Sequence, residues 1–283
     1  MPAGYTRFRP VSHRPPDELA RELLSAYATG QVLATPSSRE DWLDLAAAYA
    51  VEAEVVRLRR EQGRTTVGRK VGFANKALWR VLKLDTLVWA HMYDDTVKDA
   101  PGNRASHSLE GRYAPRIEPE IVFKLAKPVE SGGAAPTAVL EAVEWMALGF
   151  EINDCLFPDW KFRPVDFVAS FGLHTALIVG QRRPVEPPQR SALAEALSRF
   201  RLKLMKGDEL VEEGSGRAVL RSPALCLGEL ADALARQPDA EPLAAGEIVS
   251  TGTITTPQPV AAGETWRAQV EGIDLPELTV EFS

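Results

Sequence analysis

Two carboxylates one residue apart, Glu118-Pro119-Glu120, stand at the head of an apolar run, IEPEIVFKL. In an extended chain, residues two apart share a face and lie roughly 6.5–7 Å from one another along the strand. Glu118 and Glu120 therefore point the same way, with Ile117, Ile121, Phe123 and Leu125 on the opposite, core-facing side. Two anions at that reach repel unless a cation lies between them, and an all-oxygen pair suits Mg²⁺ or Mn²⁺. The plainer alternative is a solvated strand end, because such a short motif is weak by itself. Glu151, in Gly149-Phe150-Glu151-Ile152-Asn153-Asp154, shifts the balance. A carboxylate buried there without a partner is costly, so it either faces solvent or shares a cation. Asp154 and Asp159 are open alternatives for that role. Lys70, in Val67-Gly68-Arg69-Lys70-Val71-Gly72, has glycines two positions away on either side. They let the backbone approach a ligand closely, and a lysine held there meets an anionic substrate. The alternative is a surface lysine in a loop.

The elements that must position these residues follow from periodicity. Pro15-Pro16-Asp17 opens a helix carrying Leu19, Leu23 and Tyr27 on one face, ended by Thr29-Gly30. A second, longer helix is predicted after Ser37-Ser38, where Ser37 and Glu40 have capping-box spacing. Its apolar face is Trp42, Leu45, Tyr49, Ala53 and Val56, and Gly63 stops it. VGRKVGF is a short extended piece, and strands dominate from Ile117 onward. A helix is predicted from Pro136 to about Met146, followed by the extended GFEIND. HTALIVG reads as a buried strand, and RLKLMKGDELVEEG as a hairpin turning at Lys206-Gly207-Asp208. Ser222-Pro223 opens a helix to about Gln237, and GEIVSTGT, TWRAQVEGI and LTVEFS are the last strands. The class is α+β, divided into a helical region, 1–65, and a β-rich catalytic domain, 66–283.

Composition narrows the function. Lys plus Arg number 33 against 39 Asp plus Glu in 283 residues, a formal charge of −6. With pI near 5.4 and no long basic run, neither nucleic acid nor a membrane surface is an expected partner. No apolar run reaches the ~20 residues of a membrane span, and MPAGYTRFRPVSHRPPDE lacks the apolar stretch of a secretory signal. Two cysteines, Cys155 and Cys226, build no disulfide framework and suit a reducing compartment. The expectation is a cytoplasmic protein that handles a small molecule.

Taken in order, Lys70 in GRKVGF, Glu118 and Glu120 in RIEPEIVFKL, Glu151 in GFEIND and Asp159-Trp160-Lys161 resemble the fumarylacetoacetate hydrolase superfamily. The likeness is to its hydratase/decarboxylase branch, which acts on 2-oxopent-4-enoate and 4-oxalocrotonate. Gly214-Ser215-Gly216-Arg217-Ala218, Ser222-Pro223, AAGEIVSTGT and Ala262-Gly263-Glu264 continue it across roughly residues 17–283. The resemblance implies a mixed β-roll or barrel beside a helical N-terminal region. It assigns Mg²⁺ or Mn²⁺ to Glu118, Glu120 and Glu151, and places Lys70 against the substrate. Lys161 and the loop Ser250-Thr251-Gly252-Thr253 would contact the substrate, that loop at its carboxylate. It also implies a homo-oligomer and a 2-oxo or 2-hydroxy acid substrate from aromatic-compound catabolism. The leading activity is hydration of a 2-hydroxy-2,4-dienoate. Decarboxylation, acylpyruvate-type C–C hydrolysis, and metal-dependent binding without turnover are the alternatives.

One departure matters. Where hydratases of this branch carry an aspartate, in a Pro-Asp-Phe/Tyr-Gly segment eighteen residues past the lysine, this chain has Val88, within Leu84-Asp85-Thr86-Leu87-Val88-Trp89-Ala90. Asp85 stands three positions early, while Asp94 and Asp95 come later. One of these replaces the acid, Asp85 being the candidate carried forward, or the chemistry differs. Asp166-Phe167-Val168-Ala169-Ser170-Phe171-Gly172-Leu173-His174 likewise replaces an Asp-Asn-Ala-Ser pattern. His174 is a candidate acid or base, set against an ordinary structural histidine at a strand start.

Overall fold

The computed structural model describes residues 14–237 and 239–283. Most of the N-terminal stretch read for a secretory signal, residues 1–13, lies outside them. Helix α1 (Pro16–Thr29) starts on proline at its first turn and ends at Gly30, whose φ of 67° suits the left-handed cap. It buries Leu19, Leu23 and Tyr27, the face its periodicity predicts.

The second predicted helix is corrected. α2 (Pro36–Arg39) is a single turn, and the long helix α3 (Leu45–Glu61) begins only after Asp44, whose side chain accepts from the Ala47 amide. Ser37 does not cap: its amide and hydroxyl go to the Asp166 carboxylate instead, at 2.6 and 2.7 Å. Trp42 falls in the break, and α3 buries Ala48, Val51, Glu52, Val55, Val56 and Leu58, so of the predicted face only Val56 is fully buried. A distant carboxylate outcompeted the local capping box.

Strands β1 (Thr66–Gly72), β2 (Val88–Tyr93), β3 (Val97–Asp99) and β4 (Arg104–His107) come next, with helix α4 (Lys76–Leu82) between the first two. β5 (Pro115–Leu125) leads through α5 (Pro136–Leu140) to β6 (Val143–Asp154). The helix predicted to Met146 therefore ends early. From Val143 onward the chain pairs along the whole of β5, from Leu125↔Val143 to Pro115↔Asp154, and that ladder overrides the helical pattern. α6 (Pro164–Ala169), β7 (His174–Val179), β8 (Arg183–Pro184) and α7 (Arg190–Arg199) precede the hairpin β9 (Arg201–Lys206) and β10 (Glu209–Ser215). The hairpin turns at Gly207, where φ is 55°. α8 (Pro223–Ala235), β11 (Ile248–Thr253), β12 (Gln258–Pro259), β13 (Thr265–Glu271) and β14 (Leu278–Phe282) complete the chain.

The fold is the mixed β-roll of α+β type. One sheet runs β2-β1-β11-β5-β6-β7-β3, and a second runs β10-β9-β13-β14-β4. The main core is continuous from Leu19 and Leu23 of α1 to Ile117, Ile121 and Phe123 of β5 and Trp266 of β13. The other face of the first sheet is buried too, under a small cluster that includes Met92, Val122, Ala147, Leu177 and Val179. β5 is thus covered on both sides. Glu118 and Glu120 share the Val122 face, not a solvated one. Among the described residues, no helix is long and apolar enough to cross a membrane.

Candidate metal centre

Five adjacent strands, β1, β11, β5, β6 and β7, bring one set of polar side chains together. On the antiparallel β5–β6 ladder, Glu118 lies opposite Glu151, Arg116 opposite Asn153 and Glu120 opposite Gly149. Residues directly opposite share a face, so the register itself delivers Glu151 to the pair on β5. Glu118, Glu120 and Glu151 each offer one oxygen within 4.8 Å of the others. Glu120 and Glu151 are fully buried, and Glu118 is half-buried at the outer end.

In each carboxylate one oxygen is held by the protein. Glu120 Oε2 accepts from the Ser250 hydroxyl at 2.5 Å and the Gly252 amide at 2.8 Å. Glu118 Oε1 accepts from Asn153 Nδ2 at 2.8 Å, and Glu151 Oε1 meets His174 Nδ1 at 2.8 Å. Glu120 Oε1 is buried with no protein partner among the described residues, a costly state for a charged oxygen. Glu151 Oε2 meets Lys70 Nζ at 2.9 Å and Asn153 Nδ2 at 3.1 Å.

The electrostatics point the same way. Burial, with repulsion from Glu151 and Glu118, pushes Glu120 well above the usual carboxylate range. Burial also pushes Glu118 up to about 7, against the pull of the Lys70 ammonium. Glu151 is held below its ordinary value: burial acts to raise it, but Lys70 and His174 beside it prevail. With all three ionised, as metal ligands must be, the carboxylates around one ammonium carry two negative charges in excess, and the raised values of Glu120 and Glu118 show the site resisting them. A divalent cation balances them, and an all-carboxylate set is the donor chemistry that Mg²⁺ and Mn²⁺ take. The residues fit such an ion.

Lys70 is buried, and its remaining contacts are Gly172 O at 2.8 Å and Asn153 Oδ1 at 3.1 Å. Its Nζ lies 4.7 Å above the Phe167 ring, behind which stand Phe73 and Phe162. Gly172 has φ of 69°, and a Cβ there would come within 2.6 Å of the Lys70 side chain and 3.0 Å of Ala90. Gly252 has φ of 99° at a break in the β11–β5 register, which turns its amide onto Glu120.

Not every candidate from the sequence joins this cluster. Ser250 and Gly252 support Glu120; Thr251 is bonded to Ile121 O and Thr253 to Thr255 O. Lys161 is an exposed residue paired with Asp159 at 3.0 Å. Asp85 is exposed in the loop before β2. Asp94 accepts from the Thr65 amide, and Asp95 pairs with Arg59 and Arg64. Asp154 is spent on the amides of Tyr113 and Ala114. Val88 is buried on β2 opposite Gly72, beside Ala90 opposite Lys70. No carboxylate takes the position that Val88 holds. Asn153 and Thr96 escaped the sequence reading. Asn153 had a signal, being two residues beyond Glu151 in the same strand, whereas Thr96, from a distant turn, had none.

Comparison with known proteins identifies the family. Residues 98–281 match the family described as fumarylacetoacetate (FAA) hydrolase C-terminal. Lys70 lies outside that span. A 2-hydroxyhexa-2,4-dienoate hydratase of Comamonas testosteroni is 27% identical, covering 89% of this chain and 92% of its own. A 4-oxalocrotonate decarboxylase of a Pseudomonas species is 28% identical, over 90% and 94%. Among solved structures, 4-oxalocrotonate decarboxylase from Pseudomonas putida G7, complexed with magnesium and adipate, superposes with a TM-score of 0.84. It is 24% identical and the match covers 95% of this chain and 97% of the other.

Proposed function

The chain belongs to the fumarylacetoacetate hydrolase family, and from that footing we propose that it is a divalent-metal-dependent hydro-lyase. Its reaction is the hydration of a short 2-hydroxy-2,4-dienoate to a 4-hydroxy-2-oxo acid, in the catabolism of aromatic compounds. The observation that carries the reading is the buried carboxylate triad with its uncompensated charge, in a chain similar over nearly its whole length to a dienoate hydratase.

In the net reaction the enol proton of the dienoate moves to C5, and water then adds its oxygen at C4 and a proton at C3. A divalent ion on Glu118, Glu120 and Glu151 supplies Lewis acidity toward the carboxylate and 2-oxo oxygens of such an acid. Lys70 provides the fixed positive charge. Its three acceptors account for all three ammonium protons. Its Nζ stands at Glu151 Oε2, where it would balance the substrate carboxylate or pass a proton to carbon, the latter a role typically worth about 10²- to 10⁴-fold. Phe167 covers the buried ammonium, and Phe73 and Phe162 pack on Phe167.

Val88 favours one second reading. Hydration uses an additional acid or base, and this wall of the site has none, whereas loss of CO₂ from a 2-oxo dicarboxylate needs less proton transfer. Decarboxylation is therefore the alternative in the same site. For the setting we propose the cytoplasm, in keeping with the acidic composition and the two cysteines, and a homo-oligomer, on the family likeness alone.

The test is turnover of 2-hydroxypenta-2,4-dienoate with Mg²⁺ or Mn²⁺, followed by loss of dienol absorbance. Hydration without CO₂ release supports the hydratase. CO₂ release from 4-oxalocrotonate without hydration supports the second reading. A ligand-dependent thermal shift with no turnover of either compound overturns both and leaves a binding protein.

A further inference from the structure

His174 opens β7 and is 4% exposed. Its ring stands on the far side of Glu151 from Lys70. Nδ1 lies 2.8 Å from Glu151 Oε1, and Nε2 lies 2.9 Å from the Thr96 hydroxyl. A carboxylate only accepts, so Nδ1 carries the proton of that bond. Both ring nitrogens are thereby engaged, which leaves none for an ion or a substrate. The β6–β7 pairing is irregular just here, shifting between Ile152 and Asn153, and that shift sets His174 opposite Asn153. Thr96 comes from the turn between β2 and β3 and is anchored by its hydroxyl, which accepts from the Tyr93 amide at 3.1 Å. The result is a chain of contacts, Thr96–His174–Glu151, from the half-buried edge of the sheet to the carboxylate cluster.

The consequence concerns which oxygen Glu151 presents. A free carboxylate rotates and binds a cation through either oxygen or both. Here Oε1 is tied to His174, while Oε2 faces Lys70 and Asn153. Glu120 repeats the arrangement with other parts, Oε2 tied by Ser250 and Gly252 and Oε1 left bare. We propose that His174 is a positioning residue that, braced by Thr96, fixes Glu151 as a one-oxygen ligand through Oε2. This rests on the metal-centre reading above. It removes His174 from the acid–base candidates and gives it work through Glu151 alone. A hydrogen-bonding partner behind a ligand typically changes metal affinity by about 10- to 100-fold.

The experiment is Mn²⁺ titration of the full chain, by calorimetry and by electron paramagnetic resonance of the free ion. Thermal melts of each metal-free variant accompany it. His174→Ala is expected to weaken Mn²⁺ binding by about 10- to 100-fold. His174→Asn, which keeps an N–H near the Nδ1 position, restores it to within a few-fold of wild type. On a Glu151→Ala background, His174→Ala adds no further loss. If the alanine variant does not fold, His174→Gln replaces it, since its amide is displaced from the Nδ1 position. Unchanged affinity in His174→Ala overturns the proposal. So does an asparagine variant as weak as alanine, or an equal loss on the Glu151→Ala background. Wild-type affinity in both Glu118→Ala and Glu120→Ala places the ion elsewhere, and fails the metal-centre reading itself.

Discussion

Two groups of buried carboxylates in this protein have opposite fates. Asp154 and Asp166 are as buried as Glu120 and Glu151. Yet Asp154 receives the amides of Tyr113 and Ala114, and Asp166 those of Ser37 and Arg163 with the Ser37 hydroxyl. Both oxygens of each aspartate are met by donors. Glu120 has one oxygen held and the other bare, Glu118 has one oxygen held by Asn153, and Glu151 leans on Lys70 and His174, all three within reach of one another. The contrast teaches that burial alone does not mark a site. A saturated carboxylate ties loops together. One with a bare oxygen beside two other anions requires a cation.

That contrast is broken most directly at its charged end. Glu120→Gln keeps an acceptor for Ser250 and the Gly252 amide while removing a charge the site resists. Mn²⁺ affinity is expected to fall by more than about 100-fold, beyond what loss of a supporting contact causes. The metal-free melting temperature should stay at or above wild type. Calorimetry and a thermal melt check both, and a retained affinity with a lower melt would reverse the assignment.

Asp166→Ala should do the opposite. Three donors lose their acceptor at about 1–3 kcal/mol each, so the melting temperature should drop by roughly 10 °C or more. Mn²⁺ affinity measured below the melt should barely move.

His107 sharpens the comparison with a buried group that avoids charge altogether. Burial, helped by Lys98 and Arg112, pushes it down to about 4 from an ordinary 6.5. A histidine with a depressed folded value contributes its stability fully above pH 6.5. As pH falls from 6.5 toward 4 the unfolded chain takes up the proton first, and that contribution is lost. His107→Leu should therefore show a shallower fall in melting temperature than wild type between pH 7 and 4.5. Parallel curves would refute this.

The smallest effect belongs to Lys161→Ala, whose ion pair with Asp159 lies in water. Stability should change by less than about 1 kcal/mol, with Mn²⁺ affinity unaffected. A raised KM on that background would assign Lys161 to the substrate.

Much of the site was legible before any fold was known. Glu118 and Glu120 share a face because a strand alternates every residue, and the Gly207 turn follows from local chemistry. Lys70 between its glycines was visible but unranked. The capping box at Ser37 misled because Asp166, more than a hundred residues away, offered a better acceptor. The helix predicted through Trp145 misled because pairing with β5 is worth more than a short helical pattern.

What the sequence by itself determined was the family likeness, the paired glutamates and the even-numbered face they share, all set by residue type and strand period. Residue spacing left Asp154 and Asp159 open beside Glu151, which the family likeness named; the β5–β6 register is what brings Glu151 into the cluster. The tertiary structure alone turned Ser250 and Gly252 toward Glu120 and set His174 behind Glu151. Those outcomes depend on strand register and on which groups lose their water, and both arise only when distant segments pack.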